Sequence, residues 1–363
     1  MARAKKVGVI GCGNISSIYL QNLQQYDGVE VVACADLNIE RAQNKATEFN
    51  IAKACSVQEL LADPDIEIVL NLTIPAAHMD VCIQALNAGK HVYVEKPLAI
   101  SLQDGKRILD YAEARQLRVG AAPDTFLGAG IQTCLKLLKD GAIGEPLSAA
   151  AFMMAGGHES WHPSPEFYYQ AGGGPMFDMG PYYLTALVAM MGPIFEIAGM
   201  TRMTFPERTI MSEPKRGTKI PVEVPTHIAG TLRFSSGAIG TMITSFDIPA
   251  GHSLPHIEIY GTKGTLQVPN PNNFSGPVRI QRAGQRGWEE VAVHLPYRDN
   301  CRGIGVLDMA EAIRAGSRHR ASGELAYHVL EAMHGFHISS DTGSVYRMTS
   351  TAVSPQLLSV AAK

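Results

Sequence analysis

The first 125 residues alternate between two apolar patterns. Short runs rich in valine, isoleucine and alanine stand at 6–10, Glu30–Ala35, Ile66–Leu72, His91–Val94 and Arg118–Ala122, each of a length that suits a buried strand. Between them lie segments with helical spacing: Ser16 to about Gln25, Asn38–Phe49, Ala76–Ala88 closed by Gly89, and Ser101–Arg115 capped by Ser101. Strands alternating with helices predict a parallel sheet with right-handed crossovers. From about Phe126 the pattern changes. A helix over Gly130–Lys139 and the turn Gly144-Glu145-Pro146 lead to strand-like runs at Leu147–Ala155, Ile194–Phe205, His227–Phe234, Ile239–Phe246, His256–Tyr260, Thr265–Val268, Val278–Gln281 and Glu290–His294. Strands following strands, with hairpin turns at Ser235-Ser236-Gly237 and Gly261-Thr262-Lys263-Gly264, predict antiparallel pairing. Helices over Gly303–Ala315 and Gly323–His337 close the chain. The expected organisation is an α/β domain over 1–125 and an α+β domain with a large, open, mainly antiparallel sheet over 126–363.

Composition narrows the function classes. A chain of 363 residues, 46 % hydrophobic and 18 % charged, has enough apolar material for two cores. Its net charge of -3 leaves no basic footprint for nucleic acid. No apolar run reaches membrane-spanning length, and the start of the chain lacks the apolar core of a secretory signal. The six cysteines form no C-x-x-C pair and no zinc spacing, so they read as packed thiols in a reducing cytoplasm.

Candidate chemistry begins at Gly11-Cys12-Gly13-Asn14-Ile15-Ser16, a G-x-G-x-x-S stretch between a strand and a helix. Gly11 permits a tight turn, and Gly13 lets the backbone approach a pyrophosphate at the helix N-terminus. Asp36 follows the second strand, roughly 20 residues past the glycines, where a carboxylate accepts ribose hydroxyls and repels a 2′-phosphate. Leu37 and Asn38 come next rather than an arginine, so NAD is favoured over NADP. Thr73-Ile74-Pro75 with His78, and Glu95-Lys96-Pro97, follow later strands, and open α/β sheets bind ligands at such strand ends. A lysine partly desolvated there can take part in acid–base chemistry. In the second domain, the loop around His158, Trp161 and His162 and the pair Tyr168-Tyr169 carry side chains suited to sugars. Glycines 172–174 lead to a helix expected to begin near Asp178. Asp178 and Tyr182 share one face of it, while Tyr183 points about 100° away. His328, His334 and His337 have no completing ligand, so no metal site is expected.

These motifs resemble the Gfo/Idh/MocA oxidoreductases. The first signature is Gly11–Ile15, Ala35-Asp36, Thr73-Ile74-Pro75 with His78, and Ala88-Gly89-Lys90-His91-Val92 leading to Glu95-Lys96-Pro97. The second is Gly172-Gly173-Gly174-Pro175-Met176-Phe177-Asp178-Met179-Gly180-Pro181-Tyr182, matching the family's G-G-x-x-x-D-x-G-x-H with tyrosine for histidine. Two further departures are Pro123-Asp124-Thr125-Phe126 where an arginine usually precedes phenylalanine, and Trp161-His162 where a Trp-Arg pair is common.

The resemblance implies a Rossmann domain, a sheet domain whose face often makes oligomer contacts, and pyranose, cyclitol or polyol substrates. It implies NAD-dependent hydride transfer at a secondary hydroxyl, with Lys96, Asp178 and Tyr182 as catalytic residues. Tyr182 is the first choice of base, Lys96 assists at the reacting oxygen, and Asp178 orients the substrate; His158 and His162 are reserve bases. Expected cofactor contacts are Gly11, Gly13, Asn14, Ile15, Asp36, Thr73, Pro75, His78, Glu95, Lys96 and Trp161. Expected substrate contacts are Lys96, Asp124, His158, His162, Tyr169, Asp178 and Tyr182. A glycosidase or lyase that oxidises its sugar transiently, or a non-enzymatic NAD sensor, are the alternatives. A homodimer or homotetramer through the second sheet is expected, with neither nucleic acid nor membrane as partner.

Overall fold

A computed structural model describes residues 3–358 of the chain. These residues form two compact units. The first runs to Leu127 and also takes Asp299–Leu330; the second is Gly128–Arg298 with the chain from Glu331 onward. The single boundary expected after residue 125 becomes three crossings, and the penultimate helix belongs to the first unit rather than the second.

The first unit starts with β1 (Lys5–Ile10), α1 (Ser16–Leu23), β2 (Val29–Ala35), α2 (Ile39–Glu48), β3 (Lys53–Cys55) and α3 (Val57–Ala62). It continues through β4 (Ile68–Asn71), α4 (His78–Asn87), β5 (His91–Val94), α5 (Leu102–Glu113) and β6 (Val119–Ala121). The helix starts follow from side-chain caps. Asn38 accepts from Glu40 N, Ser101 from Asp104 N, and Ser56 forms a reciprocal capping box with Glu59. All pairings are parallel, in the order β3-β2-β1-β4-β5-β6. Connections therefore leave β1 in opposite directions, and a switch point opens beyond the carboxyl ends of β1 and β4.

The second unit contains α6 (Ala129–Lys139), β7 (Pro146–Met154), α7 (Gly174–Met191), β8 (Ile194–Arg202), a small hairpin of β9 (Glu207–Thr209) and β10 (Lys219–Pro221), then β11 (His227–Phe234), β12 (Ile239–Ser245), β13 (Ile257–Gly261), β14 (Gly264–Val268), β15 (Val278–Arg282) and β16 (Glu289–Val291). The chain then crosses back to the first unit for α8 (Ile304–Ala315). It passes along α9 (Gly323–Thr342) into the second unit and ends its regular structure at β17 (Tyr346–Arg347). Nine strands pair in the order β16-β15-β14-β13-β7-β12-β11-β8-β17. The sheet is mainly antiparallel, as the strand-after-strand pattern requires; β7 and β12 run parallel at its centre. α7 packs on β7, β11 and β12. That face of the sheet is buried, through residues such as Ala151, Ile228 and Met242.

Candidate active site

In the first unit, β1 delivers the glycine loop. Gly11 has φ +103°, and a Cβ there would stand 2.6 Å from the Leu72 carbonyl carbon, so the position admits only glycine. A Cβ on Gly13 would meet nothing within 4 Å, leaving open backbone beside the exposed Asn14 and Ile15. α1 then begins without a side-chain cap, so its leading N–H groups remain suited to a phosphate. Asp36 ties the loop to β2: Cys12 N donates to its Oδ2 at 2.8 Å and Asn38 N to its Oδ1 at 2.9 Å. Beside it Leu37 is fully exposed, and on the loop after β4 Ile74 is 70 % exposed. The sequence reading assigned neither a role. Apolar side chains left bare beside a nucleotide loop are the signal that was available for both. Together these residues fit a dinucleotide.

The ends of β4 and β5 are held by buried polar groups. Asn71 accepts from Thr73 N at 3.2 Å and Thr73 Oγ1 at 2.7 Å, and its amide donates to His78 O at 3.1 Å. His78 is fully buried, its Nδ1 2.7 Å from Pro97 O and its Nε2 3.0 Å from Thr73 O. Burial pushes its pKa below the usual histidine value. Glu95 is also buried: Tyr19 Oη donates to its Oε1 at 2.8 Å and Lys96 N to its Oε2 at 2.8 Å. The expected cofactor contacts of His78 and Glu95 are thus corrected, because both side chains are spent on the protein's own backbone and on Tyr19. Lys96 follows them, half-buried. Asp124, expected at the substrate, is 1 % exposed and its Oδ2 accepts Gly303 N at 2.8 Å and Gly305 N at 3.0 Å. It anchors the start of α8, and burial raises its pKa to about 6.

In the second unit, α7 starts at Gly174 rather than near Asp178, because Pro175 suits the first turn, where its missing N–H costs nothing. Asp178 and Tyr182 therefore lie inside the helix, one turn apart. Asp178 is half-buried and its Oδ2 is 2.9 Å from His158 Nε2. His158 Nδ1 is buried without a hydrogen-bond partner among the described residues, against Tyr168 at 4.0 Å and Phe246 at 4.6 Å between ring centres. This environment assigns the ring proton to Nε2, which donates to the carboxylate. Trp161 is 60 % exposed and packs edge-on against both His158 and His162. His162 is half-buried, accepts Ser164 N at 3.0 Å, and has its pKa lowered mainly by burial.

Tyr169 is fully buried and donates to Glu159; its expected substrate contact is corrected to a supporting one. Glu159 pairs with Arg208 at 3.0 Å, and Arg208 also pairs with Asp247. This network fastens the loop before α7 to the β9–β10 hairpin. Neither Arg208 nor the hairpin was singled out in the sequence, since three-residue strands in a proline- and charge-rich stretch carry no periodic signal. Tyr183 is buried, its hydroxyl 2.9 Å from His256 Nδ1. His334 and His337 pack on the Phe177 ring.

Comparison with known proteins shows the family and the fold. Residues 5–122 match the profile of an oxidoreductase family with an NAD-binding Rossmann fold, and residues 131–267 match the GFO/IDH/MocA C-terminal domain. The chain belongs to the Gfo/Idh/MocA oxidoreductase family. It is 25 % identical over 297 residues to myo-inositol 2-dehydrogenase of Thermotoga maritima, covering 81 % of this chain and 84 % of that enzyme. It is 28 % identical over 271 residues to 1,5-anhydro-D-fructose reductase of Ensifer adhaerens, covering 71 % and 74 %. The solved structure of levoglucosan dehydrogenase with NADH and L-sorbose superposes with a TM-score of 0.82 at 22 % identity, covering 95 % of this chain and 99 % of that one, which shows a shared fold. The Gfo/Idh/MocA protein is thus an NAD-binding oxidoreductase whose relatives are sugar and cyclitol dehydrogenases and reductases. Those relatives favour hydride transfer over the glycosidase, lyase and sensor alternatives. Among the described residues no helix is long and apolar enough to cross a membrane.

Proposed function

We propose that this enzyme oxidises a secondary hydroxyl of a sugar, cyclitol or related polyol, and reduces the corresponding ketone. The observation that carries the reading is Asp178, held by His158 one helical turn before Tyr182. NAD, when bound, supplies the acceptor for the hydride that leaves the substrate carbon. Gly11, Gly13, Asn14, Ile15, Asp36, Thr73 and Pro75 hold the dinucleotide, and Leu37 and Ile74 add apolar cover to it. Lys96 hydrogen-bonds the reacting oxygen. Tyr182 takes the hydroxyl proton. Asp178, kept in place by the His158 N–H, orients the substrate. His158 therefore acts as a donor, not as a reserve base. His162 and the exposed Trp161 line the substrate. Six free thiols support a reducing cytoplasm as the setting.

Lys96→Ala and Tyr182→Phe test the reading, with NAD affinity measured by calorimetry and turnover by NADH absorbance against a panel of monosaccharides and inositols. Each substitution is expected to lower kcat by about 100- to 10,000-fold while leaving NAD binding nearly intact. Tyr183→Phe is the control: it removes a hydroxyl engaged with His256 and should change stability more than turnover. Full turnover in both Lys96→Ala and Tyr182→Phe overturns the assignment.

A further inference from the structure

We propose that His78 is a positioning residue for Lys96, a staple that fixes the turn carrying the lysine to the start of α4. The inference rests on the reading of Lys96 as the group that handles the substrate hydroxyl, and deepens it by naming what holds Lys96 in place. Pro97 has no N–H, so the turn after β5 has one donor fewer with which to fix itself. Its conformation is instead pinned on both sides of Lys96. Before the lysine, the Glu95 carboxylate accepts Lys96 N at 2.8 Å and is itself held by Tyr19. After it, the buried Pro97 carbonyl lies 2.7 Å from His78 Nδ1.

The other ring nitrogen faces the Thr73 carbonyl at 3.0 Å, on the loop that Asn71 fixes. A neutral imidazole carries one N–H, and the shorter contact assigns it to Nδ1 and to Pro97. His78 also opens α4, and its backbone carbonyl accepts the Asn71 amide, so the staple is anchored in the sheet and not in solvent. A fully buried imidazole that gives its N–H to the Pro97 carbonyl is poorly suited to touch a ligand and well suited to hold the turn that carries Lys96.

Three variants test which ring nitrogen carries the staple. Asparagine places a donor where Nδ1 stands, glutamine where Nε2 stands, and phenylalanine keeps a ring with neither. Two readouts apply: kcat at saturating NAD and substrate, and the rate at which a lysine-acylating reagent modifies Lys96, mapped by mass spectrometry with the exposed Lys106 and Lys136 as references. A displaced catalytic group typically loses about 10- to 100-fold. We expect His78→Phe to lose kcat in that range and to change Lys96 reactivity, with the two reference lysines unaffected. His78→Asn should stay close to the parent in both readouts, and His78→Gln should resemble His78→Phe. If His78→Phe fails to fold, the order of Asn above Gln still decides: Gln equal to or better than Asn overturns the staple. Unchanged Lys96 reactivity and turnover in all three also overturn it. Failure of the catalytic reading looks different, since Lys96→Ala would then keep turnover whatever His78 does to the lysine's reactivity.

Discussion

Asp178 accepts a hydrogen bond that can be removed without removing the carboxylate. Its Oδ2 lies 2.9 Å from His158 Nε2, with the imidazole seated against Tyr168 and Phe246. A hydrogen bond to a charged group contributes about 1.5–3 kcal/mol, so on the proposed role of Asp178 its loss amounts to about 10- to 100-fold in rate. His158→Phe keeps a ring in the aromatic pocket and deletes the donor; kcat/KM should fall by that factor. His158→Gln returns an N–H to the position of Nε2 and should recover most of it. Equal losses in both variants would mean that the ring itself, and not its proton, is what Asp178 needs. At this scale the sequence was legible wherever a residue's task is set by its chain neighbours. Gly11 and Gly13 stand in the loop after β1, and Asp36 directly after β2, as the alternation of strands and helices implied. Asp124, Tyr169 and His78 did not behave as expected because their tasks come from burial: each side chain is turned onto another segment of its own unit, and spacing along the chain carries no trace of that.

Secondary-structure elements were legible in proportion to their length. The strand–helix alternation of the first unit and the long strands of the second match the apolar periods, whereas β3, α3, β9 and β10 are too short to show one. One element contact is also a pH sensor for stability. His91 opens β5, and its Nδ1 accepts Arg118 N at 3.0 Å on the approach to β6. Burial, then the charges of Arg118 and Lys5, lower its pKa to about 4. An unfolded chain holds this histidine near 6.5. Between these values the unfolded chain binds the extra proton, so the stabilisation is fully present above about pH 6.5 and is lost as pH falls towards 4. The loss is on the order of 2–3 kcal/mol after allowing for partial exposure. Denaturant unfolding at pH 7 and pH 4.5 should show His91→Asn, which keeps an acceptor for Arg118 N, losing less stability on acidification than the parent. An identical acid loss in both proteins would remove His91 from the account.

At the scale of the whole molecule, the nine-stranded sheet leaves its second face to be explained. Residues pointing away from α7, among them Ala150, Phe152, Ala229, Thr231 and Ile243, are half-buried or exposed and mostly apolar. Nine strands spaced about 4.8 Å apart and about 20 Å long offer a face of roughly 800 Å², close to what each partner contributes to a stable interface. We expect a homodimer or homotetramer through this face. Light scattering at micromolar concentration should give at least twice the chain mass, and Ile243→Arg should lower it; a parent protein that is monomeric refutes the assignment.

The return of residues 299–330 to the first unit has a consequence in time. Asp124 finds its two N–H partners 179 and 181 positions later in the chain. A Cβ on Gly305 would stand 2.1 Å from Tyr93 Oη, so α8 closes directly over β5. During synthesis, the nucleotide-binding half therefore waits with its last helix missing and an acidic group uncovered until nearly the entire second unit has been translated. Closing so distant a contact is slow. The half whose synthesis begins first is thus completed only after most of the other half has been made.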